Sequence, residues 1–149
     1  MITEEWRSVS GFEGFFEVSN MGRIRSVSRL VRTMLRSGEY STRRIKSKVL
    51  ALHTWGAKYP GIVLHRGNKP PMRKMIHQLV AEAFVPNPNG YTQINHIDAN
   101  TLNSFASNLE WCNQSMNVAH AYKIGNRPIG KDHHFSRLKR DKRGCCISL

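Results

Sequence analysis

The sequence predicts an α+β fold in three parts: a small β-rich N-terminal module over 1–50, a second module over 51–125 ending in a strand–loop–strand–helix unit, and an extended basic tail over 126–149. Three observations predict it. Near the N-terminus aromatic and apolar residues alternate with polar ones, the period of two expected of half-buried strands. "HQLVAEAFV" instead repeats its apolar residues at helical spacing. "NRPIGKDHHFSRLKRDKRGCCISL" is polar, basic and short of large apolar residues, so it has little to bury. At 149 residues the chain suffices for one domain, or for two small modules sharing a core.

In chain order, "EEWRSVSGFEGFFEVSNMGRIRSV" reads as short antiparallel strands broken by Gly11, Gly14 and an Asn20-Met21-Gly22 turn, with Val18 and Ile24 on paired strands. In "SRLVRTMLRSGEYSTRRIKSK", Arg29, Arg32 and Arg36 fall at helical spacing, so a short basic helix and a mobile loop both fit. Gly61–Leu64 reads as a strand, with Arg66-Gly67-Asn68-Lys69 as a hairpin turn. Leu79, Val80, Ala83 and Phe84 share one face of a core-packing helix that Pro86 and Pro88 stop. Thr92–His96 and Leu109–Cys112 are strands around a polar loop, Ile97–Ser107. A helix over Met116–Ile124 follows, with Ser115 as its N-cap and Gly125 closing it.

Charge narrows the function. A net +13 and a pI near 10.3 point to a polyanion partner, nucleic acid before membrane. Arg23, Arg25, Arg29, Arg32, Arg36, Arg43, Arg44, Lys46 and Lys48 face only Glu39, and they are the candidate phosphate contacts. By contrast, no Lys or Arg stands between Lys74 and Lys123. That gap holds "INHIDANTLNSFASNLEWCNQSMNVAHA", with six asparagines around His96. A simple electrostatic DNA sponge would not leave it; a site for a divalent cation would, because a nearby cationic side chain repels the metal. Cys112, Cys145 and Cys146 cannot build a disulfide framework, so a reducing cytoplasm fits, and the lack of a CxxC pair argues against structural zinc. Neither a signal sequence nor an apolar run near eighteen residues is present, so no membrane partner is expected.

In a strand–loop–strand–helix unit, the end of the first strand and the first turn of the helix can face one cleft. His96 and Asn117 hold those positions, and Asn117 and His120 share a helical face. The stretch, with "HQLVAEAFVPNPNG" before it, resembles the HNH endonucleases of the phage and intron homing type, whose centre is a ββα-metal motif. The spacing His96–Asn108–Asn117 is the specific part of the likeness. "EEWRSVSGFEGFFEVSNMGRIRSV" is similar to the nuclease-associated modular domain that often precedes such nucleases. Together the two likenesses cover about two-thirds of the chain.

The resemblance implies a metal-dependent endonuclease that nicks or cuts double-stranded DNA, acting as a monomer in the cytoplasm of a bacterial host if phage-encoded. His96 would be the general base. Asn108 would tie the loop to the His96 segment and aim the imidazole. Asn95 and Asn117 would hold one divalent cation, Mg2+ or Mn2+, with Asp98 and His120 as possible metal or phosphate contacts. Several relatives carry Asp where this chain has Asn95, so a neutral amide replaces a charged ligand and Asn95→Asp is expected to tighten metal binding. In similar nucleases a segment like "GKDHHFSRL" leads into a helix-turn-helix; here the expectation is either a broad target preference or a shortened copy of such a DNA-binding extension. Other residues have simpler readings. Asn100 and Asn103 shape the turn, Trp6, Trp55 and Trp111 pack in the core, Cys112 is buried, and His77 packs and hydrogen-bonds the loop. A DNA-binding protein without catalysis is the alternative function, and an RNA-binding protein a more distant one.

Overall fold

The computed structural model describes residues 3–55, 58–67 and 69–125, together with the backbone of 139–140 and 146–147. It divides into two compact units, Met1–Trp111 and Cys112–Leu149. The first begins with β1 (Trp6–Ser8), β2 (Phe16–Ser19) and β3 (Ile24–Ser26), an antiparallel meander in which Val18 pairs with Ile24 as the alternation predicts. Its turn is fixed by Ser19 N donating to Arg23 O at 2.8 Å and by Gly22 at φ +76°. A side chain at Gly22 would also meet Ser104 Cβ at 3.2 Å, so only glycine suits both the dihedral and the space.

The basic run is neither helix nor irregular loop. It forms β4 (Arg29–Met34) and β5 (Tyr40–Ile45), a two-stranded antiparallel ribbon in full register from Arg29–Ile45 to Met34–Tyr40. Val31, Thr33, Thr42 and Ile45 are β-branched, with Val31, Thr33 and Ile45 on one face of the ribbon, and this outweighs the helical spacing of three arginines. The short β6 (Lys48–Val49) then returns to β3, completing a four-stranded sheet in the order β1-β2-β3-β6.

A second meander follows: β7 (His53–Trp55), β8 (Tyr59–Leu64) and β9 (Met72–Met75). The turn expected at Arg66–Lys69 is present, with Lys69 N donating to Arg66 O at 3.1 Å; Asn68 lies outside the described residues. Helix α1 (Ile76–Phe84) buries Ile76, Leu79, Val80 and Ala81 and ends ahead of Pro86 as expected. Arg7 Nη1 donates to Ala83 O at 2.6 Å and its guanidinium lies 4.5 Å from the centre of the Phe84 ring, tying the helix's last turn to β1.

One core draws on both predicted modules, with Val9, Phe12, Phe16, Val18 and Ile24 meeting Ile62, Leu64, Ile76, Leu79, Val80 and Leu109. Each such side chain contributes about 1.5–3 kcal/mol on burial. Trp111 packs against this core and donates Nε1–H to Val85 O at 3.0 Å, so the expected core tryptophan also has its polar edge satisfied. β10 (Gln93–His96) and β11 (Leu109–Cys112) form a hairpin around the polar loop, which ends in a 3-10 turn at Ala106–Asn108.

In the second unit, α2 (Gln114–Lys123) is capped by Asn113, whose side-chain oxygen accepts from Met116 N at 2.9 Å. Sequence pattern points to Ser115 instead; Asn is as strong a cap, and it stands where the chain is still extended. The strands β12 (Lys139–Arg140) and β13 (Cys146–Ile147) pair antiparallel, and the rest of the basic tail lies outside the described residues. Among the described residues no helix is long and apolar enough to cross a membrane.

Candidate active site

His96 ends β10 and is only 6% exposed. Immediately after it the chain turns, with Ala99 N donating to His96 O at 2.9 Å and Ala99 held at φ +59°. That conformation is unfavourable for alanine, so neighbours must impose it.

Asn108 supplies much of that constraint. Its Oδ1 accepts from Asp98 N at 3.0 Å, while its Nδ2 donates to Asp98 Oδ1 at 2.8 Å and to Asn103 O at 2.9 Å. Its own carbonyl accepts from Ile97 N at 2.9 Å. One buried carboxamide therefore closes the loop on the residues that follow His96. The Asp98 carboxylate is engaged as well, accepting from Asn100 N at 2.8 Å and from Asn103 Nδ2 at 2.7 Å. These donors, Asn103 first, hold the Asp98 carboxyl below the usual carboxylate range. Asn100 also accepts from Leu102 N at 3.1 Å, so both turn-forming asparagines bond the loop's own groups.

Two further anchors join the loop to the rest of the unit. Ala106 N donates to Asn20 O at 2.8 Å, beside the Gly22–Ser104 approach, and Thr101 Oγ1 donates to Lys58 O at 2.5 Å. The second anchor adjoins Tyr59, whose ring belongs to the site.

The His96 ring meets two others. His77, on the first turn of α1, lies 5.2 Å away between centroids at an interplanar angle of 66°; Tyr59 lies 6.1 Å from His96 and 5.2 Å from His77. Among the described residues, His96 Nε2 and His77 Nδ1 are both buried without a hydrogen-bond partner. His77 thus packs as expected, but its Nδ1 makes no hydrogen bond to the loop. Burial, and secondarily His96, pushes the His77 imidazole down to about 4. Burial also lowers His96, opposed by the Asp98 carboxylate, so its imidazole is neutral at pH 7.

Asn95 has a different partner. It is 8% exposed, and its Nδ2 donates at 2.8 Å to Oε1 of Glu110 on the neighbouring strand. A carboxylate is an acceptor only, so the amide nitrogen must face it and Oδ1 is the atom left for a cation. Asn117 and His120 both lie on α2 of the second unit, half-buried. Among the described residues no three His, Cys, Asp or Glu side chains gather into a metal-binding group.

The candidate DNA-contacting residues divide in two. Arg23 pairs with Glu4, and Arg25 pairs with Glu17 at 2.7 Å while lying 4.3 Å from the centre of the Trp6 ring. On the ribbon, no ion pair among the described residues involves Arg29, Arg32, Arg36, Arg43 or Arg44. Lys46 and Lys48 follow it, both outside any ion pair among the described residues. One ribbon face carries Leu30, Met34 and Tyr40 at 65%, 63% and 58% exposure, with Arg32 held 4.0 Å from the centre of the Tyr40 ring.

Sequence reasoning missed Tyr59 and Glu110. Tyr59 becomes visible only when β8 and α1 are packed together. Glu110 was within reach, because pairing Thr92–His96 with Leu109–Cys112 brings it close to Asn95.

Residues 4–63 match the NUMOD4 motif. An uncharacterized HNH endonuclease of Acanthamoeba polyphaga mimivirus is 30% identical over 131 residues, 87% of this chain and 33% of that protein. DNA endonuclease I-HmuI of Bacillus phage SP01 is 27% identical over 138 residues, 93% of this chain and 69% of that one. A solved structure of the HNH homing endonuclease I-HmuI superposes with a TM-score of 0.63 at 29% identity, over 85% of this chain and 63% of the other. The chain thus spans only a third of the mimivirus protein's length and about two-thirds of I-HmuI's. By sequence and fold it is a homologue of the HNH endonucleases. More particularly, its relatives include homing enzymes, and it carries a NUMOD4 motif ahead of the His96 hairpin.

Proposed function

We propose that this chain binds double-stranded DNA and hydrolyses its phosphodiester bonds with His96 as general base. The observation that carries the reading is a neutral imidazole packed in a triangle with the Tyr59 and His77 rings, at the end of the hairpin strand of an HNH homologue. A neutral imidazole has one ring nitrogen free to take a proton from an attacking water at pH 7, and the buried Nε2 leaves Nδ1 as the atom for that task. The Asn108 bonds keep the turn after His96 in place, which holds the backbone from which the ring projects.

The residues fit a hard divalent cation, Mg2+ or Mn2+. Asn95 offers a carboxamide oxygen, its nitrogen already committed to Glu110, and no Lys or Arg between 74 and 123 competes. When bound, the ion would neutralise charge on the phosphate and the departing oxygen. The arginines of the β4–β5 ribbon supply sequence-independent attraction to the duplex.

The test is supercoiled plasmid with the purified protein and Mg2+ or Mn2+, against EDTA and His96→Ala. Nicked product should require the metal, and His96→Ala should lower its rate by about 10^2–10^4-fold. The neutral Asn95 favours a second reading, a DNA-binding protein without catalysis. Plasmid retarded on a gel but never cut would establish it.

A further inference from the structure

We infer that Glu110 is a positioning residue for Asn95: it fixes which end of the amide faces the cation and supplies the negative charge that position 95 lacks. The inference rests on the reading of Asn95 as a metal ligand. An asparagine amide can rotate to present nitrogen or oxygen, and a cation is repelled by the former. The 2.8 Å bond from Asn95 Nδ2 to Glu110 Oε1 removes that freedom, since the reversed amide would set oxygen against oxygen. Burial of Asn95 raises the cost of the reversed state further. Outer partners of this kind typically change metal affinity by about 10–100-fold.

The same pair reverses an expectation drawn from sequence. Asn95→Asp alone looks like a gain of ligand charge, yet the new carboxylate would replace the amide donor and set a second acid against Glu110, where like charges repel. The benefit should appear only when Glu110 is neutralised as well. Amide-with-carboxylate and carboxylate-with-amide are then two equivalent solutions, and two carboxylates are the frustrated one.

The experiment is Mn2+ titration followed by electron paramagnetic resonance, with thermal melts of the metal-free full-length protein. The variants are Asn95→Ala, Glu110→Ala, Glu110→Gln, Asn95→Asp and Asn95→Asp/Glu110→Gln. Asn95→Ala and Glu110→Ala should each weaken Mn2+ by about ten-fold or more, whereas Glu110→Gln, which still accepts from the amide, should lose less than Glu110→Ala. Asn95→Asp should melt below wild type without metal, and adding Glu110→Gln should restore the melt and bind Mn2+ at least as tightly as wild type. If Glu110→Ala binds like wild type while Asn95→Ala does not, or if Asn95→Asp melts like wild type, Glu110 has no such role. If wild type binds no Mn2+, or Asn95→Ala binds it equally well, the ligand reading of Asn95 is what fails.

Discussion

The loop between β10 and β11 and the ribbon β4–β5 are both polar and exposed, and they use their side chains in opposite ways. In the loop, Asp98, Asn100, Asn103 and Asn108 bond one another and the nearby backbone, so the polar groups produce shape. In the ribbon, the backbone ladder holds the shape and the arginines have no acidic partner among the described residues, so their charge is available to a partner. Aiming His96 requires rigidity without competing cations. Attracting a polyanion requires cations without internal neutralisation.

The largest effect should come from breaking the loop. Asn108→Ala removes three side-chain bonds and leaves Asp98 N and Asn103 O without a buried partner, a loss of about 2–4 kcal/mol in a denaturant melt. Plasmid cleavage should fall with it even where the protein stays folded. A variant that melts like wild type would show that the loop holds itself without its central amide.

Next comes the ribbon. Replacing Arg32, Arg43 and Arg44 by Gln should leave the melt within about 0.5 kcal/mol, because these side chains support no core. Duplex affinity should drop, and the slope of log affinity against log salt should flatten by about 0.9 per lost phosphate contact. An unchanged slope would remove the ribbon from the DNA surface. Arg25→Gln is the control: its charge already faces Glu17, so it should change the salt slope less than a ribbon arginine does.

These contrasts explain what could be read in advance. Strand pairing at Val18–Ile24, helix α1 and the Asn-rich hairpin follow from local alternation, helical period and turn residues. The ribbon is not legible locally, because Arg29, Arg32 and Arg36 fit helical spacing while the deciding partners on β5 are remote in sequence. At the site, Asn108 was legible as the residue tying the loop to the His96 segment. The ring cluster of Tyr59, His77 and His96 was not, since it joins three elements whose packing no local pattern encodes.

That cluster provides a pH test confined to the loop's side of the comparison. His77 has its folded value pushed down to about 4 from an unfolded value near 6.5, so the unfolded chain binds more protons between those limits. Its contribution to stability is therefore complete above about pH 6.5 and is lost as pH falls toward 4. After allowance for partial exposure the loss is about 1–2 kcal/mol. His77→Phe should flatten the melting profile over that window, leaving the smaller share of His96. Ribbon variants should leave it unchanged.

The smallest effect separates the two ways of making a turn. In the ribbon, Gly38 sits at φ +85° with nothing within 4 Å of an added Cβ, so Gly38→Ala should cost only backbone strain, about 1 kcal/mol. In the loop, Ala99 already carries that strain at φ +59°. Ala99→Gly should relieve it while adding freedom to the unfolded chain, and the two nearly cancel, for a net change within about 0.5 kcal/mol. Ala99→Val, β-branched at positive φ, should lose more than Gly38→Ala. Should Ala99→Gly instead weaken cleavage without changing the melt, the strained turn after His96 would be acting on the imidazole's aim rather than on stability, which the ribbon turn has no means to do.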